Sequence, residues 1–250
     1  MNKLLPSAAY FEGHFPGRPI LPGVTQLALV AQAMTRCAGG GALSAVRHVR
    51  LRQLVIPGEE LLLTTRAAED GRVRFELKRG ASIVTNGELT LSESLSDWED
   101  SNAPASANES DHPPIETLLP HRSPMRFVER VFERTDERIV CEASIPSACP
   151  LVCEGAAPAI VAIEAAAQAA AVGEALRRIV AGARDAAPSG YLVSLRDIEL
   201  AVATIPVDAP LIVVVRLQSM ALPLSTYAVD AFHRNRPVLR GRIGTFLADA

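Results

Sequence analysis

The most informative part of the sequence is residues 10–32, which read YFEGHFPGRPILPGVTQLALVAQ. Glycine and proline recur from Gly13 to Gly23, which predicts a rigid loop of turns and extended backbone. Apolar residues then recur at helical spacing from Val24, which predicts a buried helix that begins near Gly23. The unpartnered N–H groups of that helix end would face His14, the one histidine of the loop. A base beside a positive helix end can act on a polarised carbonyl compound.

The composition sets only broad limits on the function. The 250 residues carry a formal charge of −3 and are 48% hydrophobic. This balance suits one large domain or two smaller ones and does not indicate a nucleic-acid partner. The four cysteines are scattered, so reduced thiols of a cytoplasmic protein are predicted and no metal site is expected. No signal peptide is recognised, and the longest apolar run, residues 156–172, contains Glu164 and is predicted to be a buried helix rather than a membrane span.

The sequence divides into two units of similar plan around a polar segment. The first half, residues 1–92, is predicted to hold the loop, the helix and antiparallel strands at 46–54, 61–67, 72–79 and 82–92. Residues 93–114 are acidic and rich in Ser, Asn and Pro, which predicts a disordered linker. The second half, residues 115–250, is predicted to hold a short helix at 115–119, a long helix at 159–181, and strands at 125–133, 138–145, 191–202, 211–220, 224–232 and 238–247.

The two halves can be aligned on the residues around their long helices. Pro22 is followed by Ala-Gln at residues 31–32, and Pro158 is followed by Ala-Gln at the same distance, residues 167–168. This alignment indicates an internal repeat of loop, helix and strands.

The aligned halves differ at two positions that could carry chemistry. His14 lies opposite Pro150, and Ala28 lies opposite Glu164, so each half has one acid–base group that the other lacks. Apolar neighbours around Glu164 predict a raised pKa and a carboxyl group that stays protonated near neutral pH. A neutral imidazole can act as the base, so the pair suits an elimination of water.

Simpler readings of the same residues stay open at this point. Glutamate is a good helix former, so Glu164 could be a solvated residue of an alanine-rich helix. A loop histidine such as His14 could be structural, and Gln168 could only make a hydrogen bond across the helices. The pair has a function only if the two halves share a cleft, which sequence spacing cannot establish.

The loop and helix GHFPGRPILPGVTQLALVAQ resemble the signature of 3-hydroxyacyl-[acyl-carrier-protein] dehydratases, which have the hotdog fold. The segment LLPHRSPMRFVERV of the second half is similar to the start of the same enzymes. The resemblance implies an α+β double hotdog, in which two antiparallel sheets each wrap a long central helix and form an intramolecular pseudo-dimer. The second half also resembles the histidine-less dehydratase-like proteins of aryl-polyene gene clusters, which implies a fused pair.

The resemblance implies one composite site. In such dimers a histidine of one protomer faces a glutamate or aspartate on the helix of the other, and His14 and Glu164 match these positions. Gly23 matches the glycine whose N–H can face the thioester carbonyl. Ala28 replaces the acid of the first half and Pro150 the histidine of the second, so the opposite pseudo-site is expected to be inactive. The implied substrate-binding residues are Phe15, Pro22, Gly23, Val24 and Gln168.

The implied reaction is dehydration of a (3R)-3-hydroxyacyl thioester on acyl-carrier protein to the trans-2-enoyl thioester, in fatty-acid or polyene-type biosynthesis, without a metal or another cofactor. His14 would be the base and Glu164 the acid. Candidate docking charges for the acidic carrier protein are Arg47, Arg50, Arg52, Arg126 and Arg130.

Two other functions and several properties stay open. The damaged motif in each half also fits a non-catalytic acyl-binding subunit of a synthase, and a hotdog thioesterase would use Glu164 to activate water. Few residues precede His14, so the first half is expected to lack its opening strands, or the true start lies upstream. The acyl chain and further homo-oligomerisation are not determined by the sequence.

Overall fold

The two predicted units form one continuous antiparallel sheet around two long helices. The computed structural model describes residues 2–38, 41–68, 71–96, 98, 103–104, 112–182 and 190–248, without the side chains of Cys37 and Ala38. The first half contains the helix α1 (Gly23–Ala38) and five strands, which are β1 (Asn2–Leu4), β2 (Ala42–Leu51), β3 (Leu61–Ala67), β4 (Arg72–Arg79) and β5 (Ser82–Ser92). A short 3₁₀ helix, Ala8–Phe11, precedes the loop that carries His14.

The second half repeats this plan with more strands. Its helices are α2 (Ile115–Leu118) and α3 (Ala162–Val180), and a 3₁₀ turn, Ala159–Val161, leads into α3. Its strands are β6 (Val128–Arg134), β7 (Arg138–Ala143), β8 (Ala156–Pro158), β9 (Gly190–Leu200), β10 (Thr204–Pro206), β11 (Leu211–Ala221), β12 (Leu224–His233) and β13 (Arg236–Leu247). The short strands β8 and β10 pair with each other in a separate two-stranded sheet.

Pairing between β2 and β9 joins the two halves. The order of the large sheet is β1-β3-β4-β5-β2-β9-β13-β12-β11-β7-β6, with eleven strands. At the junction Ala45 lies opposite Glu199, and Arg50 lies opposite Ser194. The two sheets of the predicted double hotdog are therefore continuous, because the edge strand of each half satisfies the backbone groups of the other.

Each long helix lies in the core because its residues are small or apolar. Val24, Leu27 and Val30 of α1 are fully buried, and most residues of α3 are buried, half of these being alanines. Alanine keeps the helix while allowing the sheet to approach closely. The segment 159–180 is apolar and long enough to cross a membrane, but 83% of its apolar window is buried inside the protein, so it is a core helix.

The predicted strands of the first half are largely confirmed. The bounds of β3, β4 and β5 agree with the prediction, but β2 begins earlier than predicted and ends at Leu51 rather than Leu54. The strand ends there because the N–H groups of Arg52 and Gln53 both donate to the carbonyl of Val84, which turns the chain away from the ladder. The predicted helix start at Gly23 is confirmed.

Among the described residues, the first half has fewer strands than the second. In the sheet order, the three-residue β1 takes the position that β7 has in the second half. None of the described residues of the first half occupies the position of β6. The absence of opening strands from the first half stays a prediction.

The described part of the predicted linker packs against the sheet rather than being free. The Ser96 N–H donates to the carbonyl of Leu200, and the guanidinium of Arg240 lies 5.3 Å from the centre of the Trp98 ring. Ala103 packs against a small apolar cluster that includes Phe232. The predicted disorder of residues 97, 99–102 and 105–111 lies outside the described residues.

Candidate active site

A cavity of about 420 Å³ is shared by the two halves of the chain. His14, Phe15 and Gly23 of the first half line it, together with His121 and Glu164 of the second half. The two predicted acid–base groups therefore meet at one cleft, which is the condition that the sequence could not test.

The loop that carries His14 is held against a loop of the second half. The N–H of Arg122 donates to the carbonyl of Gly13 at 2.9 Å, and Gly13 has a φ of +72°. A Cβ atom on Gly13 would lie 2.2 Å from the carbonyl oxygen of Arg122, so only glycine permits this contact. The contact places the histidine loop directly beside residues 121–123.

One hydrogen bond defines the tautomer of His14. Its Nδ1 lies 2.9 Å from the carbonyl oxygen of Ile20, which can only accept, so Nδ1 carries the hydrogen. The lone pair of Nε2 is left free, and Nε2 lies 4.0 Å from Glu164 Oε1. Burial is the main cause that lowers the pKa of His14 to about 4, and it outweighs the opposing effects of the Glu164 charge and of the bond to the Ile20 carbonyl. His14 is therefore neutral near pH 7, as a base should be.

Glu164 lies in the first turn of α3 and is only 4% exposed. Its Oε1 accepts a hydrogen bond from Gln168 Nε2 at 3.1 Å, and His121 Nε2 lies 3.3 Å from the same oxygen. Burial raises the pKa of Glu164, but the hydrogen bond from His121, the positive charge that either histidine carries when protonated, and the bond from Gln168 outweigh burial and lower the pKa to about 2. The positive end of α3 acts in the same direction.

The prediction of a protonated Glu164 is therefore wrong. The apolar neighbours of Glu164 in sequence suggested desolvation alone, whereas the folded chain adds donors that favour the carboxylate. The site at rest combines a neutral imidazole with an ionised carboxylate.

Gln168 supports the site rather than presenting a free amide to a substrate. Its Nε2 donates to the carbonyl of Met125 at 2.7 Å as well as to Glu164. Its Oε1 accepts from the N–H groups of Phe127 at 2.8 Å and Val128 at 3.4 Å. Gln168 lines the cavity, but all of its hydrogen-bonding groups are engaged, so it ties Glu164 to the start of β6.

His121 is the residue of the site that the sequence reasoning missed. It follows α2, is 5% exposed, and its ring centre lies 5.2 Å from that of His14 and 5.0 Å from that of Phe15. The signal was present in the segment LLPHRSPMRFVERV, but nothing in its spacing places this histidine beside Glu164. Only the contact between the two loops brings them together.

The other predicted substrate-binding residues divide into two groups. Phe15, with a φ of +61°, and Gly23 line the cavity, and Phe15 packs 5.6 Å from the ring of Tyr191. A Cβ on Gly23 would lie 2.8 Å from Leu51 Cδ1, so a side chain there would crowd the cavity wall. Pro22 and Val24 are buried and do not line the cavity. The side chain of Val24 packs in the hydrophobic core. Both residues adjoin Gly23, where α1 begins.

The cavity continues along one face of α3. Its wall includes Ala167, Ala170, Ala171, Glu174 and Ala175, which follow Glu164 at helical spacing. The distance from Glu164 to Glu174 along the helix is roughly 15 Å at 1.5 Å per residue. Small side chains on this face leave an elongated space beyond the acid–base pair.

The cavity wall includes neither Ala28 nor Pro150. Within the described residues, His14, His121 and Glu164 form one group whose donor atoms all lie within 4.8 Å of one another.

Several solved structures with the same architecture are dehydratase domains. A trans-AT polyketide synthase dehydratase domain from Brevibacillus brevis matches 99% of this chain and 93% of its own, with a TM-score of 0.74 and 16% identity. The dehydratase domain of PpsC from Mycobacterium tuberculosis, in complex with C12:1-CoA, matches 98% of this chain and 91% of its own, with a TM-score of 0.71 and 14% identity. At such identities the likeness concerns the fold, which confirms the predicted double hotdog of the dehydratase type.

Family models match both halves of the chain. The ApeP-like dehydratase model matches residues 113–250, and the ApeI-like dehydratase model matches residues 2–88. The chain belongs to the ApeP-like dehydratase family, a family of hydro-lyases. It carries an ApeI-like region in the same polypeptide, which agrees with the predicted fused pair.

Two further matches agree with this assignment. The dehydratase heterocomplex ApeI:P from Xenorhabdus doucetiae matches 56% of this chain and 93% of its own, with a TM-score of 0.52 and 22% identity. The 3-hydroxyacyl-[acyl-carrier-protein] dehydratase FabZ of Syntrophomonas wolfei is 32% identical over 93 residues, which are 32% of this chain. The match spans 64% of the length of that curated relative.

Proposed function

We propose that the protein dehydrates a (3R)-3-hydroxyacyl thioester to the trans-2-enoyl thioester at one composite site. The observation that carries this proposal is the free Nε2 of a neutral His14, which lies 4.0 Å from the ionised Oε1 of Glu164 in a cavity built by both halves. Both residues line the same cavity, so a substrate lying against its wall can present C2 to the base and its hydroxyl group to the carboxylate.

The substrate can be placed by its functional groups. The N–H at the start of α1, at Gly23, faces the thioester oxygen and stabilises the charge that develops when C2 loses a proton. C2 then lies beside His14 Nε2, and the C3 hydroxyl donates to Glu164 Oε1. The rest of the acyl chain follows the alanine face of α3.

The elimination balances without an external acid. His14 Nε2 takes the C2 proton, the C–H electrons form the C2–C3 double bond, and the C3–O bond breaks. The departing oxygen needs one proton, which the His14 imidazolium returns through Glu164, so water leaves and both groups regain their resting state. Glu164 is thus first an acceptor that orients the hydroxyl and only then a carrier of the proton.

We further propose that the acyl group is delivered by acyl-carrier protein in the cytoplasm. Of the predicted docking arginines, Arg52 lies exposed at the cavity wall, whereas Arg47 pairs with Asp197 at 3.6 Å. Arg126 and Arg130 pair with Glu116 and Glu142. Arg52 is therefore the best placed of the five to meet an acidic carrier or its phosphate arm, and Arg50 is exposed on the preceding strand.

The direct test is to incubate the protein with a 3-hydroxyacyl carrier protein and to follow the product by intact mass. Formation of the enoyl thioester, with loss of one water, supports the proposal. The ionised Glu164 also favours a second candidate, a thioesterase in which this carboxylate activates water. Release of the free acid with an intact hydroxyl group would favour that candidate, and binding without turnover would favour a non-catalytic acyl-binding subunit.

The pH dependence of kcat/KM should show an unusually low acid limb. Because burial lowers the pKa of His14 to about 4 from an ordinary 6.5, the base stays neutral as the pH falls from 7 to 5. Activity should fall only as the pH approaches 4, when His14 becomes protonated. Initial rates with a soluble thioester substrate, measured beside circular dichroism to verify folding, test this expectation. An acid limb near 6.5, the ordinary value for histidine, would contradict it.

The Ala171→Leu substitution should shorten the acyl chains that the protein accepts. Ala171 lines the part of the cavity beyond Glu164, so a larger side chain there would fill the space for carbons far from the thioester. We expect kcat/KM for long acyl chains to fall by about tenfold or more, because lost apolar contacts and steric exclusion act at that end. A four-carbon substrate serves as the internal control, since it ends before Ala171. Equal losses for both substrates would contradict the placement of the chain.

A further inference from the structure

We propose that His121 is a positioning residue, which donates Nε2–H to Glu164 Oε1 and so keeps the carboxylate directed at the substrate hydroxyl. This inference rests on the proposed dehydration and names the group that makes the composite site work. His121 lies on neither long helix and is absent from the predicted acid–base pair.

The contacts of Glu164 Oε1 support this role. His121 Nε2 lies 3.3 Å and Gln168 Nε2 lies 3.1 Å from this oxygen, and His14 Nε2 lies 4.0 Å from it. The two shorter contacts come from donors, whereas His14 offers a lone pair. The carboxylate is therefore held by two donors at a fixed distance from the base.

The surroundings of Nδ1 indicate which nitrogen of a neutral His121 carries the hydrogen. His121 Nδ1 is buried and has no hydrogen-bond partner among the described residues. A neutral ring with its hydrogen on Nε2 donates to the carboxylate and leaves only a bare acceptor at Nδ1. The other tautomer would bury an unpaired N–H and turn a lone pair toward the carboxylate, which is the costlier arrangement. The geometry therefore favours the Nε2–H tautomer.

The loop around His121 is rigid enough to position another group. The Arg122 guanidinium donates to the carbonyls of Leu119 at 2.9 Å and of His121 at 2.7 Å, and the Arg122 N–H donates to Gly13. The same arginine thus ties the His121 loop to the loop that carries His14. The loop of the base and the loop of His121 are thus connected through Arg122.

The physical need for such a residue arises during turnover. Once His14 accepts the C2 proton it becomes a cation beside an anion, and an unrestrained carboxylate would close onto it as a buried ion pair. That pair would retain the proton that the departing oxygen requires. Donation from His121 keeps the Glu164 carboxylate directed at the departing oxygen, so a proton that Glu164 receives from His14 is passed on to that oxygen.

The titratable groups that face this cluster define what a change at His121 should do. His14 and Glu164 lie next to His121. Burial, together with the Glu164 charge, raises the pKa of the nearby Cys149 thiol. The hydrogen bond from His121 lowers the pKa of Glu164, and a neutral donor at 3.3 Å is enough for this effect. Removal of His121 should therefore move the titration of Glu164 toward higher pH.

The test compares His121→Leu, which removes the donor, with His121→Gln, whose amide N–H can reach the same oxygen. We expect His121→Leu to lower kcat by roughly 10- to 100-fold with a smaller change in KM, the size typical of supporting hydrogen bonds at a catalytic group. His121→Gln should recover most of kcat. Thermal unfolding of each variant identifies effects on folding.

A second measurement is independent of turnover. Carbon-13 NMR of labelled glutamate should show Glu164 titrating at higher pH in His121→Leu than in the wild type, and nitrogen-15 shifts of His121 should report the Nε2–H tautomer. An unchanged Glu164 titration, or equal kcat in His121→Leu and the wild type, would overturn the role of His121. A wild type that forms no enoyl thioester would overturn the dehydration instead, even where the Glu164 titration moves.

Discussion

His14→Gln is expected to lower kcat for enoyl thioester formation by roughly 10²- to 10⁴-fold, the range that general base catalysis contributes. The free Nε2 of His14 faces the cavity because Nδ1 is bound to the Ile20 carbonyl. Glutamine fills a similar volume but offers no base, so the C2 proton has no acceptor. Single-turnover measurements with a 3-hydroxyacyl carrier protein, followed by mass, give the rate directly.

The matched control for this variant is Pro150→Ala. Pro150 takes the place of His14 in the repeat but lies outside the described cavity wall. Its replacement should leave the rate unchanged and so distinguish loss of the base from a general effect on the loops. Equal losses in both variants, or a fully active His14→Gln protein, would be incompatible with a single composite site.

Glu164→Gln is expected to cause a loss of similar size, roughly 10²- to 10⁴-fold in kcat, while the protein stays folded. The amide keeps the shape of the side chain and can accept the bond from Gln168, but it cannot carry a proton to the departing oxygen. Because the donors around Glu164 outweigh the cost of burying its charge, loss of the charge should lower the thermal unfolding temperature, so circular dichroism must verify that the variant is folded in the assay.

The readout for Glu164→Gln should separate chemistry from binding. Binding of a non-reactive thioether analogue should remain close to that of the wild type, since most of the acyl contacts lie along the alanine face of α3. Glu164→Asp keeps the charge but retracts it, and we expect an intermediate rate. A Glu164→Gln protein with wild-type turnover would exclude this carboxylate from the reaction.

Local sequence predicted a large part of the fold because its signals depend on near neighbours. Alternating apolar residues and turn-forming glycines located β3, β4 and β5, and the change from Gly-Pro loop to apolar helix located the start of α1 at Gly23. The bounds of β2 were less accurate because the chain leaves the ladder where Arg52 and Gln53 bind the distant Val84 carbonyl.

For the site, the sequence by itself determined that His14 and Glu164 lie at complementary positions of an internal repeat. It also determined that Gly23 begins the helix beside them, since composition and spacing along the chain are enough for that. The roles of His14 and Glu164 in turnover stay predictions, which the variants above test.

Only the tertiary structure decided the charge of Glu164, the supporting role of Gln168, and the position of His121 beside Glu164. The pKa of a carboxyl group depends on the donors that surround it in space, and here the decisive donor comes from a loop that precedes β6. Likewise, β2 and β9 join the two halves by backbone pairing, and the sequence of neither strand shows which strand it pairs with. A local motif therefore indicated the base, His14. The donor that favours the ionised form of Glu164 is His121, whose loop meets the loop of His14 at Gly13 and Arg122.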